Sequence, residues 1–161
     1  MKHVAILPVC ILSTALLLNG CSYVTPTITE DEATEKIQEH ARNTLAALPE
    51  KAEIEERDGP NTSPCGNPSM LSDEDRVTVS EHFWVRGIPE EDNDTALELM
   101  HDHWETNGYQ ILNDSRPDDT FINAEHEEND FQVATQYNKN GTLSLVVRSP
   151  CLWPDGSPEL F

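Results

Sequence analysis

The chain has 161 residues, a mean hydropathy of −0.54 and a formal charge of −20, from 30 Asp and Glu against 10 Lys and Arg. That length suits one domain and is short for two. A field of that sign repels phosphates, which excludes nucleic acid as a partner and keeps the chain off anionic lipid headgroups.

The N-terminus opens with the short positive stretch Met1-Lys2-His3, followed by an apolar run from Val4 to Leu18 broken only by Pro8, Ser13 and Thr14. The run has the length of a secretion-signal core and falls short of the roughly 20 residues a membrane-spanning helix needs. It stops at Leu18-Asn19-Gly20-Cys21. This ending resembles the lipobox of bacterial lipoproteins, with an apolar residue three before the cysteine and a small residue next to it; Asn19 departs from the usual small or aliphatic residue. The resemblance implies that residues 1–20 are a signal peptide removed after Gly20 and that Cys21 takes a diacylglycerol with palmitate-like chains. The competing reading is an ordinary secretory signal that ends near a cysteine. Two or three acyl chains anchor stably where one is marginal. Ser22 supplies no acidic retention signal.

Cys10 lies in the signal and Cys21 takes the lipid, which leaves Cys65 and Cys151. In an oxidising compartment such a pair reads as one disulfide. Closing a loop of that length stabilises a fold by roughly 4 kcal/mol in the chain-entropy account. Metal-binding or catalytic thiols would call for a Cys-x-x-Cys spacing or nearby histidines, and neither is present.

Residues 21–28 form a lipidated tether. Thr29 and Glu32 then read as a capping box, with an acidic first turn that complements the helix dipole. Ala33, Ile37, Ala41, Leu45 and Leu48 repeat at helical spacing until Pro49 stops them. Residues 49–75, with four prolines and many polar residues, read as an irregular connection anchored by Cys65. Val77, Val79, Phe83 and Val85 alternate with polar residues as in a half-buried strand. A second helix follows Asp92-Asn93-Asp94, with Ala96, Leu97, Met100 and Trp104 as its buried stripe and Asn107-Gly108 closing it. Four strands are expected at Tyr109–Asn113, Phe121–Glu125, Phe131–Tyr137 and Leu143–Arg148, the last two joined by the turn Asn138-Lys139-Asn140-Gly141. The tail 152–161 reads as extended and flexible.

The order predicts a single acidic α+β domain over residues 29–151, with an N-terminal helix and then β-α-β-β-β-β in a mostly antiparallel sheet packed by helices. The disulfide would bring the start of the first strand near the end of the last, as antiparallel neighbours.

Candidate sites are few. His101-Asp102-His103 holds two histidines at i and i+2, which point to opposite sides of a helix and cannot share a metal. The acidic groups Asp92 with Asp94, Asp114 with Asp118 and Asp119, and Glu125 to Asp130 offer oxygens for calcium, but none has the spacing and central glycine of an EF-hand loop. Hydrolase motifs of the Gly-x-Ser-x-Gly or Ser-x-x-Lys kind are missing, and 30 acids do not nominate a carboxylate pair. His82, Trp84 and Arg86 share the polar face of the first strand as candidate ligand-facing residues. The favoured expectation is that the N-terminal helix covers this face and makes Trp84 ordinary core, because the helix stripe must bury somewhere.

With Cys21, the Thr29–Leu48 helix, Ser63-Pro64-Cys65, Trp84-Val85-Arg86-Gly87 and Ser149-Pro150-Cys151-Leu152-Trp153-Pro154-Asp155-Gly156, nearly the whole chain resembles small membrane lipoproteins of actinomycetes. The resemblance implies a single-membrane cell, with the domain on the extracytoplasmic face of the cell membrane, held there by the lipid on Cys21. It brings no assigned activity, catalytic residue or cofactor. The reading is a non-enzymatic domain with a binding or accessory role toward an envelope protein or glycan. A cell-wall-directed hydrolase and a calcium-binding module are the alternatives.

Overall fold

The computed structural model describes residues 27–65 and 75–157. The signal, the lipobox with Cys21 and all of the tether before Thr27 lie outside the described residues, as do 66–74 and 158–161.

Helix α1 spans Glu30–Leu45 and starts at the expected capping box. The Thr29 hydroxyl accepts the Glu32 N–H at 3.2 Å, and the Glu32 carboxylate accepts the Thr29 N–H at 2.9 Å. Ala33, Ile37 and Ala41 are fully buried. The helix was expected to run to Leu48. Regular turns stop at Leu45, and the chain continues through a turn that still buries Leu48.

Strands β1 (Glu53–Glu56) and β2 (Asn61–Pro64) follow, in the stretch expected to be irregular. They lie in line along one edge of β3 (Val77–Arg86), with Ile54 opposite Val85 and Thr62 opposite Val79. Their sequences, Glu-Ile-Glu-Glu and Asn-Thr-Ser-Pro, carry no apolar alternation. Backbone hydrogen bonds to β3 hold them, a cause that side-chain periodicity does not record.

A single 3-10 turn (Glu90–Asp92) leads into α2 (Asn93–Thr106), which buries Ala96, Leu97, Met100 and Trp104 as the spacing predicts. Strands β4 (Tyr109–Asp114), β5 (Ile122–His126), β6 (Gln132–Tyr137) and β7 (Leu143–Arg148) then form a meander. The sheet order is β1-β3-β7-β6-β5-β4, with β2 beside β3, and every pairing is antiparallel. The expected α+β class holds, with two strands more than expected among the described residues.

Both helices contribute to one core, in which Ile37, Leu97, Met100 and Trp104 cluster with Phe83, Val133, Leu145 and Val147. Each such side chain contributes roughly 1.5–3 kcal/mol on burial. Strands β3 and β7 are antiparallel neighbours, with Ser80 opposite Arg148, and the Cys65–Cys151 disulfide ties the end of β2, which pairs with the start of β3, to the segment after β7 across a Cα separation of 5.9 Å.

The tail departs from expectation. Leu152 is fully buried, exchanges both backbone hydrogen bonds with Val77 at 2.9 Å, and forms a bridge to it. Thr27 donates its N–H to the Gly156 carbonyl at 2.8 Å, and Glu30 donates to that of Pro154 at 3.1 Å. Residues 152–156 are therefore part of the domain. The disulfide delivers the chain to the start of β3, where Leu152 meets the core.

Candidate functional site

Side chains alternate across a strand, so burying one set of β3 residues turns the other set outward. Val79, Glu81, Phe83 and Val85 go inward. Ser80, His82, Trp84 and Arg86 take the opposite face. Their cross-strand partners on β7 are Arg148 for Ser80, Val146 for His82 and Ser144 for Trp84. On β6 the same rows continue with Gln132, Ala134 and Gln136.

This overturns the expectation that the N-terminal helix covers Trp84. Helix α1 packs on the other side of β3, where its Gln38 side chain donates to the Glu81 carboxyl at 2.5 Å. Trp84 is half-buried. The structure therefore brings His82, Trp84 and Arg86 together on the face away from the helices.

The Arg57 and Arg86 guanidinium carbons each lie 5.6 Å from the Trp84 ring centroid. An exposed stack of this kind contributes roughly 0.5–1 kcal/mol per cation. Arg57 also donates to Asp58 at 2.5 Å and Arg86 to Glu55 at 2.8 Å, in solvent-exposed pairs. Burial pushes the His82 imidazole below its ordinary value, and Arg57 pushes it further; Asp58 opposes them and Arg148 adds to them. The net effect favours the neutral imidazole.

Two shallow depressions meet at His82 and Val146. One, of about 270 Å³, has Ala134 and Val146 in its lining with Ser80, Asn123, Gln132 and Arg148. The other, of about 230 Å³, runs between Arg57, Trp84, Gln136 and Asn138. Although the chain holds 30 acids, neither depression is lined by one. The arrangement offers guanidinium, amide and hydroxyl groups over a small apolar floor, which is the equipment of a binding surface.

The other sequence candidates divide. His101 Nδ1 lies 3.3 Å from Asp102 and 3.8 Å from Glu105, while His103 points away to Asn43 at 2.6 Å. The two imidazoles diverge as helical spacing requires. Asp114 is clamped by Arg116 at 2.9 and 2.6 Å, whose hydrogen bonds hold its carboxyl down at about 2. Asp94 accepts the Tyr137 hydroxyl at 2.7 Å, and Glu125 accepts from Gln132 at 2.9 Å.

Two groups escaped the sequence reading. Glu81 is 2% exposed, its carboxyl pushed above the ordinary range by burial and by Glu56, while the Gln38 hydrogen bond opposes the shift. Gln38 also donates to Glu56 at 3.0 Å, so one amide bridges two carboxyls, but α1 seals Glu81 from solvent. The signal was the period of two through 79, 81, 83 and 85. His40 is 6% exposed and packs with Tyr109, His126 and Phe131. It sits seven residues after Ala33, on the same helical stripe.

No family model matches the chain, and no curated protein matches it. Among solved structures the chain is similar to the crystal structure of LppA from Mycobacterium tuberculosis, a candidate lipoprotein. The identity is 14% and the TM-score 0.43, covering 81% of this chain and 83% of that one. A likeness of that degree carries no functional assignment.

Proposed function

We propose that the chain is a lipid-anchored domain on the extracytoplasmic face of the cell membrane that binds an envelope component, without catalysis, on its open sheet face. The observation that carries the binding role is the gathering of Arg57, Trp84, Arg86, His82 and Arg148 on the face away from the helices, around two depressions that have no acid in their linings. The address rests on the lipobox resemblance at Leu18–Cys21. Among the described residues no helix is long and apolar enough to cross a membrane. In this reading the lipid on Cys21 holds the chain, while its negative charge keeps the domain off anionic headgroups. The sealed position of Glu81 disfavours a hydrolase built on Glu56 and Glu81, since substrate has no path to it.

Expression of the full chain and its Cys21→Ala variant in a Gram-positive host, followed by membrane fractionation, tests the anchor. The wild type is expected in the membrane fraction and the variant in the soluble one. A variant that still fractionates with membranes contradicts the reading.

A further inference from the structure

We propose that His101, Asp102 and Glu105 on α2 form a surface site for a divalent transition ion of the zinc type. At 3.6 residues per turn, positions i, i+1 and i+4 fall within an arc of roughly 100°, so the three side chains share one side of α2 while His103 falls outside it. The Nδ1 of His101 lies 3.3 Å from the Asp102 carboxylate and 3.8 Å from that of Glu105, and the three ligand atoms all lie within 4.8 Å of one another. Zinc bonds of about 2.0–2.2 Å to nitrogen and oxygen set tetrahedral ligand atoms roughly 3.3–3.6 Å apart. The His101–Asp102 spacing already has that value, and both carboxylates are exposed side chains free to close the rest.

Three further features point to a metal. Asp102 and Glu105 stand near the C-terminus of α2, the negative pole of the helix dipole, where acids are disfavoured and cations favoured. Among the described residues the Asp102 carboxylate accepts only from His101, and Glu105 reaches only the same imidazole. Finally, the other ring nitrogen of His101, Nε2, faces the Asp114 carboxylate at 3.8 Å. With the ion bound, Nε2 keeps the ring proton toward Asp114 and Nδ1 gives its lone pair, the way a carboxylate orients a histidine ligand. Arg116 is the competing cation. Its guanidinium hydrogen bonds go to Asp114 at 2.9 and 2.6 Å, and only its longer-range charge reaches Asp102. An imidazole among the ligands selects zinc-type ions over calcium, which takes oxygens alone. Three protein ligands leave one tetrahedral position for water. The site lies on the helix side of the sheet, so it is independent of the open face.

The test is calorimetric titration of zinc chloride into the mature chain, made soluble by Cys21→Ala and carrying no histidine tag. One equivalent is expected to bind. His101→Gln and Glu105→Gln are each expected to weaken binding by about tenfold or more, since even groups that only support a ligand are worth about 10–100-fold in affinity. His103→Gln, on the other side of the helix, is expected to leave binding intact. In the unmutated site, followed by nuclear magnetic resonance, zinc is expected to shift the imidazole signals of His101 and not those of His103. Calcium at the same concentration is expected to leave the zinc in place. No binding at millimolar zinc, or binding that persists in both ligand variants and so belongs to scattered carboxylates, overturns the proposal. So does an equal loss in His103→Gln, or a shift at His103 without one at His101. Displacement of zinc by calcium would mark an all-oxygen site and overturn it as well.

Discussion

The Nδ1 of His40 lies 2.5 Å from the hydroxyl of Tyr109, tying α1 to β4 across 69 residues of sequence. Phe131 stacks on the imidazole at a centroid distance of 4.9 Å, and His126 meets it edge-on at 5.1 Å. Burial, then the His126 charge, bring His40 down from 6.5 to about 4. The unfolded chain takes up this proton at a higher pH than the folded one does. The stability contributed is therefore complete above pH 6.5 and lost as pH falls from there toward 4, by roughly 3 kcal/mol in all. In urea unfolding at pH 7 and pH 5, His40→Phe should lose less stability between the two than the wild type does. Parallel losses would contradict the assignment.

Leu152 anchors the segment after the disulfide. With the side chain fully buried, Leu152→Ala should lower unfolding free energy by about 2–5 kcal/mol in chemical denaturation. A free tail would show no change.

Gly87 and Gly59 both have left-handed φ, +78° and +75°. A Cβ at Gly87 would collide with the Lys51 backbone carbonyl, whereas one at Gly59 would meet open space. Gly59→Ala should thus cost about 1 kcal/mol of conformational strain. Gly87→Ala should cost clearly more, because backbone must move. Melting temperatures of the two variants decide the matter, and equal shifts would contradict it.

Glu81→Gln keeps the side-chain volume and removes a carboxyl whose charge is disfavoured by burial. A raised folded pKa means that the folded chain holds the proton more readily, so the penalty for the buried charge is greatest at high pH. The variant should be at least as stable as the wild type at pH 7, and any advantage should shrink as pH falls toward the carboxylate range. A growing advantage at low pH would contradict this.

Most regular elements were legible because their apolar residues keep the period of the element that buries them. Ile37 and Ala41 mark α1, Leu97 and Met100 mark α2, and Val133 with Leu145 and Val147 mark the meander. Strands β1 and β2 were not legible, because they answer to the free backbone edge of β3 and expose most of their side chains. The docking of Leu152 depends on where the disulfide returns the chain, a long-range consequence of the β3–β7 pairing. At the candidate site, alternation identified His82, Trp84 and Arg86 as one face. Alternation alone does not tell which side the helices cover, and the expectation that α1 covers Trp84 had it the wrong way round; the inward Glu81 and buried His40 are polar residues on apolar stripes, which polarity alone places outside. Arg57 and Arg148 join the site only through strand pairing.

The binding role is tested most directly by sedimenting the mature Cys21→Ala chain with purified cell walls, alongside two charge-matched variants. One carries Arg57→Glu and Arg148→Glu on the open face; the other carries Lys36→Glu and Arg42→Glu on α1. Both make the chain more acidic by the same amount, so nonspecific repulsion is equal. The account predicts that the open-face variant loses wall retention while the helix variant keeps it. Equal retention, or equal loss, in the two variants would contradict a binding role for this face.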